Sequence, residues 1–206
     1  MITKIEKQKK DKHRYSIFID DEFSFGLSED TILKYGLRTG DRLSEQLIDE
    51  MKEFDEFTFG KKVAYSFLSY KQRSKKEIAK KLSQKKIPVP VIAKIIEVLE
   101  GQKYIDDNTY AKNYLEDKLA HKPVGKRLAR LKLMEKGIEK EIAENVIVES
   151  YSGDAEFELA KEVLKKYKKK VRYKDSADKK NKSYRHLVSK GFDFDVISKV
   201  LKLEDA

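Results

Sequence analysis

The sequence predicts a mainly α protein: three tandem three-helix repeats forming an elongated curved body, preceded by a small α+β N-terminal module. Three observations predict it. A six-position apolar template recurs three times with identical gaps. Leu82 is followed five residues later by Ile87, then by Val91, Ile92, Ile95 and Ile96. Leu133 is followed likewise by Ile138, Ile142, Ala143, Val146 and Ile147, and Leu187 by Phe192, Val196, Ile197, Val200 and Leu201. The anchors Ile87, Ile138 and Phe192 lie about 50 residues apart, a period that suits a multi-helix repeat. Next, the first 27 residues alternate apolar and polar side chains, the period of strands. Finally, 40% of the residues are charged and 39% hydrophobic, without Trp, which suits thin helical layers with much solvated surface. Only apolar character repeats, so generic amphipathic helix pairs remain the competing reading.

The module is assigned to residues 1–55 and the repeats to 56–107, 108–152 and 153–206. Three short strands come first, the last two joined by a turn at Asp20-Asp21. The central run YSIFI is apolar on both faces and is expected to be covered on both. Ser28 is placed to cap a short helix ended near Gly36, and Ser44 a helix through Phe54. The basic run Lys7, Lys9, Lys10, Lys12 and Arg14 reads as a charged hairpin loop, with nucleic-acid contact as the alternative.

In the first repeat Phe59, Val63, Phe67 and Tyr70 step around one helix face. Ser74 and Glu77, three apart, form a capping box. Ile78 and Leu82 follow on one face, and the helix stops before Pro88, which disfavours helical dihedrals in its predecessor. In the second repeat Asp107 is expected to cap a helix bearing Tyr110, Ala111, Tyr114, Leu115 and Leu119, which Lys122 to Gly125 breaks. The next helix should point Leu128, Leu131 and Leu133 inward and Lys126, Arg127, Arg130 and Lys132 outward, up to a left-handed stop at Gly137. In the third, Phe157, Ala160, Val163, Leu164 and Tyr167 mark the opening helix. Asp175 to Asn181 reads as a polar loop, and Gly191 as another left-handed stop.

The net charge of +10 is unevenly placed. Residues 1–60 carry 10 basic and 14 acidic side chains, residues 61–160 carry 21 and 15, residues 161–182 carry 11 and 3, and the last 24 carry 4 of each. Clustered cations favour a polyanionic partner, with a lysine-rich solvated helix face as the competing reading. The residues chosen for contact are Arg73, Lys76, Lys80, Lys126, Arg127, Arg130, Lys165, Lys168, Lys169, Lys170, Arg172 and Lys174. If the repeats stack, they merge into one basic stripe. Aromatic side chains do not alternate with them as a base-stacking platform requires, so contact with DNA, single- or double-stranded, is expected through the phosphate backbone.

Enzymatic chemistry finds no support. His13, His121 and His186 are far apart and read as surface residues, and no phosphate-binding loop, dinucleotide fingerprint or nucleophile elbow occurs. Asp106-Asp107 reads as helix capping rather than a metal pair. Without Cys, neither disulfides nor thiolate metal sites exist, and a reducing cytoplasm is the simplest location. No apolar run reaches membrane-span length and no signal-peptide core opens the chain. A cytoplasmic monomer without cofactor or membrane association is the expectation. Besides a regulator, a general sequence-independent nucleic-acid-binding protein and a scaffold for acidic proteins both remain open.

Several motifs taken in order carry a resemblance. Arg73-Ser74 with Glu77 and Leu82, then Leu99, Tyr104-Ile105-Asp106-Asp107 and Tyr110-Ala111, resembles the RecX regulatory-protein family. So does Gly125 before a basic-apolar helix and Lys136-Gly137-Ile138. The likeness is good over about residues 60–150; the third repeat follows in outline. It implies three tandem three-helix repeats and a non-enzymatic modulator of the RecA recombinase in bacterial DNA repair. Such a modulator would lie in the groove of the RecA–DNA filament and limit its growth, ATPase or strand exchange. Tyr104, Asp107, Tyr110 and Ala111 are read as packing residues of the repeats rather than contacts.

Overall fold

The computed structural model describes residues 1–9 and 11–205, with 204 and 205 by backbone alone; Lys10 of the expected basic run lies outside them. Among the described residues three strands precede ten helices. They are β1 (Ile2–Lys7), β2 (Arg14–Ile19), β3 (Glu22–Ser28), α1 (Glu29–Tyr35), α2 (Glu45–Leu68), α3 (Lys75–Gln84) and α4 (Val89–Gly101). Then follow α5 (Asp107–His121), α6 (Lys126–Glu135), α7 (Lys140–Ser150), α8 (Ala155–Lys168), α9 (Ser176–Ser189) and α10 (Phe194–Asp205). The mainly α fold with a small N-terminal sheet is the one expected. The chain forms two compact units, residues 1–71 with 78–102, and residues 72–77 with 103–206.

In the first unit the strands form an antiparallel sheet in the order β1-β2-β3. Asp20 and Asp21 both adopt positive φ, 50° and 66°, as a tight two-residue hairpin requires. Ile2, Ile17, Phe25 and Leu27 bury one sheet face together with Leu37 and Met51. Of the central run YSIFI only Ile17 is fully buried, and Tyr15, Ser16, Phe18 and Ile19 stay half-buried, so full cover on both faces is not realised. Ser28 caps α1 through the Thr31 amide, and Ser44 caps α2 through the Leu47 amide.

Helix α2 does not stop near Phe54 as expected; it runs unbroken to Leu68, through the boundary placed at residue 55. Nothing in that stretch forbids helix, and its one glycine has a packing role. A Cβ on Gly60 would lie 2.4 Å from Ile95 Cδ1, so its absence lets α4 approach. The buried face of this half of the helix is Gly60 and Ala64, whereas Phe59 and Tyr70 are exposed. Asp55, in mid-helix and buried, accepts hydrogen bonds from the Ser28 amide (2.7 Å) and the Thr31 hydroxyl (2.7 Å), and pairs with Arg14 Nη1 (3.0 Å). Burial alone would raise its carboxyl. The Ser28 and Thr31 donors and the Arg14 charge outweigh that and hold it below the usual range.

All three copies of the apolar template begin with the same helix stop. The amides of Ile87, Ile138 and Phe192 donate to the carbonyls of Leu82 (3.2 Å), Leu133 (3.1 Å) and Leu187 (3.3 Å). One residue earlier, Lys86, Gly137 and Gly191 donate to Ser83, Met134 and Val188, each at 2.9 Å, from left-handed φ of 62°, 85° and 82°. This paired pattern is a Schellman stop, which folds an apolar residue back onto one five positions earlier. The opening gap of the template is therefore a turn, and its other four positions face inward from α4, α7 and α10. Every template side chain is buried or half-buried.

In the second unit Tyr110, Leu115, Ala129, Leu133, Val146 and Ile147 build the core of α5–α7. Leu164, Leu187, Phe192, Ile197 and Val200 build that of α8–α10. Three local expectations are corrected. Asp106, not Asp107, caps α5, accepting from the Asn108 amide (2.9 Å) and the Thr109 hydroxyl (2.7 Å). Leu131 is 51% exposed and Ala129 takes the inward position. The stretch from Asp175 to Asn181 is not a loop. Asp175 caps α9 through the Asp178 amide (2.7 Å), and the polar run is the solvated side of a helix that buries Ser183 and Leu187.

Candidate nucleic-acid interface

Two joints in the second unit determine which cations are available to a partner. At the first, the start of α3 meets the stop that follows α6. Ser74 Oγ accepts from the Glu77 amide (3.2 Å) and Glu77 Oε2 accepts from the Ser74 amide (3.3 Å), which is the expected capping box. The same hydroxyl donates to the Lys136 carbonyl (2.6 Å). The Lys75 amide donates to Asp107 Oδ1 (2.9 Å), a buried carboxylate. Glu77 also receives Lys136 Nζ (2.9 Å) and the Tyr110 hydroxyl (3.1 Å). Burial would raise the Glu77 carboxyl, but the Lys136 ammonium, the Ser74 amide and the Tyr110 hydroxyl together hold it below its usual range. Burial and the Glu77 carboxylate push the Tyr110 phenol well above its ordinary value. The Lys76 stem packs where a Cβ on Gly137 would be, 2.3 Å away. Ser74, Glu77, Asp107, Tyr110, Lys136 and Gly137 of the motifs thus meet in one clasp, with Tyr110 and Ala111 buried and Tyr104 exposed.

At the second joint the start of α6 meets the stop that follows α9. The Gly125 amide donates to the Lys190 carbonyl (2.9 Å) and the Arg127 amide to the Gly191 carbonyl (3.1 Å). The Lys126 amide donates to Glu156 Oε1 (3.1 Å), and its Nζ pairs with Glu156 Oε2 (3.3 Å). Glu156 is buried in the first turn of α8, as Asp107 is in the first turn of α5. In both joints a carboxylate from the next repeat takes the first free amide of the helix before it.

The selected cations fall into three sets. Lys126 is committed to Glu156, and Arg130 to Glu144 through a two-toothed pair with Nη2–Oε2 at 2.8 Å. That pair holds the Glu144 carboxyl down and the Arg130 guanidinium up. Arg73 is half-buried and places its charge near the Tyr110 phenol. Lys76, Lys80, Arg127, Lys165, Lys169, Lys170, Arg172 and Lys174 are exposed, and Lys168 is half-buried. Lys80 belongs to the first unit and the others to the second. Lys165 to Lys174 form a continuous group over the end of α8 and the segment before α9.

Ammonium groups of this kind suit phosphate oxygens or carboxylates, and they carry no base-reading geometry. Among the described residues no cluster of His, Asp or Glu could hold a metal ion, and no helix is long and apolar enough to cross a membrane. His13 and His121 are exposed as expected. His186 is not a plain surface residue: its ring stacks on Tyr167 at 3.8 Å and 7°. Sequence reasoning missed Glu156. The signal was available, since an acid stands in the first turn of the opening helix of each later repeat.

Four segments of the chain match family models. Residues 1–44 match the regulatory protein RecX N-terminal domain, and residues 61–99, 106–147 and 154–201 match the first, second and third three-helix domains of RecX. The regulatory protein RecX of Bacillus licheniformis is 35% identical over 204 residues, spanning 99% of this chain and 77% of the relative. That of Staphylococcus carnosus is 31% identical over 205 residues, spanning 98% and 74%. A crystal structure of a regulatory protein RecX superposes with a TM-score of 0.67 at 27% identity, covering 98% of both chains. RecX from Lactobacillus salivarius gives 0.66 at 28% identity, over 73% of this chain and 97% of that one.

Proposed function

The chain belongs to the RecX family of regulatory proteins, and on that premise we propose that it regulates the RecA recombinase by binding the RecA–DNA filament. It restrains filament assembly, ATPase and strand exchange without chemistry of its own, as a cytoplasmic monomer. The observation that carries this reading is the pairing of the three helical repeats with an exposed cationic segment from Lys165 to Arg172, continuing to Lys174. Such a segment meets the filament's phosphates, or acidic side chains of the recombinase, without sequence preference.

Purified protein is expected to shorten RecA filaments on single-stranded DNA, lower their ATPase and co-sediment with them; unchanged length and ATPase overturn the proposal. Replacing Lys168, Lys169, Lys170 and Arg172 together with Gln should weaken filament binding at unchanged helical content. It should also flatten the salt dependence by roughly one unit of slope for each phosphate that is no longer neutralised. Tight, strongly salt-dependent binding to bare DNA without any effect on RecA would point instead to a general nucleic-acid-binding protein.

A further inference from the structure

The C-terminal ends of α5 and α9 and the flank of α8 enclose an open notch of about 300 Å³ in the second unit. Lys122, Lys166, Lys170 and Lys190 converge on it with His121 and His186. Buried Pro123 and Val163 and the Tyr167 ring supply an apolar floor. Two other grooves on the same unit mix lysines with Glu158, Glu162 or Glu156. This one is lined by no carboxylate among the described residues. The nearby acids are engaged at its rim: Asp117 pairs with His121 at 3.2 Å, and Glu162 pairs with Lys166. Burial and the adjacent Lys190 charge hold the His186 ring below its usual range, and its face rests on Tyr167.

We propose that this notch is a phosphate-binding site, taking a phosphate monoester or diester between the lysines of α5, α8 and α9. A cation at a helix C-terminus ordinarily answers the helix dipole, which accounts for Lys122 and Lys190 one at a time. It does not account for Lys170 and the Glu162-paired Lys166 joining them over an apolar floor that no acid lines among the described residues. There a doubly charged phosphate relieves mutual repulsion and accepts several charge-assisted hydrogen bonds in a low-dielectric corner. The phosphate can belong to a nucleic-acid strand or to a free nucleotide. The site shares Lys166 and Lys170 with the cationic segment invoked for the action on RecA, but Lys122 and Lys190 lie outside that segment and are the lysines varied in the test.

The test is a titration of the whole protein, following the ring proton resonances of its three histidines. The probes are inorganic phosphate, ATP, single-stranded oligothymidylate and polyglutamate. Phosphate-bearing probes should shift His121 and His186 along one saturable curve and leave His13 unmoved. Lys122→Gln with Lys190→Gln should weaken binding by about tenfold per lysine at unchanged helical content, whereas Lys165→Gln with Lys169→Gln should not. Saturation by ATP alone assigns a free nucleotide, and saturation by oligothymidylate assigns a strand phosphodiester. The site is overturned if all three histidines shift together or neither notch histidine shifts. It is also overturned if polyglutamate reproduces the shifts better than phosphate does, or if the double variant binds unchanged. Inhibition of RecA ATPase is read in parallel, so loss of that activity with an intact titration counts against the RecA proposal and not against the notch.

Discussion

The two joints of the second unit solve one geometric problem with different chemistry. At the first, a serine hydroxyl bridges the start of α3 to the Lys136 carbonyl, and a capping box with Glu77 surrounds it. At the second, the bare backbone of Gly125 makes the equivalent bond to the Lys190 carbonyl. A Cβ on Gly125 would lie 2.3 Å from the Gly191 oxygen, so the second joint is closed to any side chain. The difference teaches that a repeated architecture need not repeat its motifs. What recurs is an amide row, a left-handed stop and a carboxylate from the next repeat.

The sharpest way to break the comparison is to transplant one solution into the other place. Gly125→Ser would supply the hydroxyl that works at residue 74, yet it should destabilise the third repeat by about 3 kcal/mol through backbone overlap. Denaturant unfolding of the variant measures this, and a neutral result would show that the joints are interchangeable. Next in size, Asp107→Ala and Glu156→Ala should each cost about 1–2 kcal/mol, because each strands a half-buried amide. Similar losses at the two positions would confirm their equivalence, and unequal ones would rank the joints.

Acid should separate the regions more gently. Asp55 and Glu77 are both held below their ordinary range in the folded chain. The stability each contributes is present above its unfolded value, near pH 4, and is lost as pH falls through the lower folded value. Unfolding midpoints followed downward from about pH 5 should therefore drop, and Glu77→Gln should flatten that profile. The smallest expected change has the opposite sign. Lys86 is exposed and holds the left-handed position that glycine holds in the other two stops. Lys86→Gly should stabilise the first repeat by up to about 1 kcal/mol, as relief of left-handed strain exceeds the added chain entropy.

Legibility followed the same division. The Gly137 and Gly191 stops, the end of α3 before Pro88, the Ser74–Glu77 box, the Ser28 and Ser44 caps and the inward stripes of α4, α7 and α10 were readable, and so was the largely exposed run from Lys165 to Lys174; the left-handed Lys86 was not. The continuity of α2 was not: the helix capped by Ser44 was expected to end at Phe54, and the close approach of Ile95 to Gly60 is made by residues far apart along the chain. The pairing of Arg130 was not either, because nothing along the chain sets its partner Glu144 apart from the many other acids; that of Lys126 was signalled only by Glu156 standing in the first turn of α8.

By itself the sequence determined much of the local frame: most of the caps and stops, the inward stripes of α4, α7 and α10 and how often the unit recurs. Each of those is settled by dihedral preference and apolar spacing within a few helical turns. Only the tertiary structure decided which carboxylates seal the joints, which glycines must stay bare and which lysines remain open to a partner. Those choices depend on donors and acceptors meeting across long stretches of chain, as Ser74 and Lys136 do across 62 residues. Charge and spacing along the chain carry no record of that meeting.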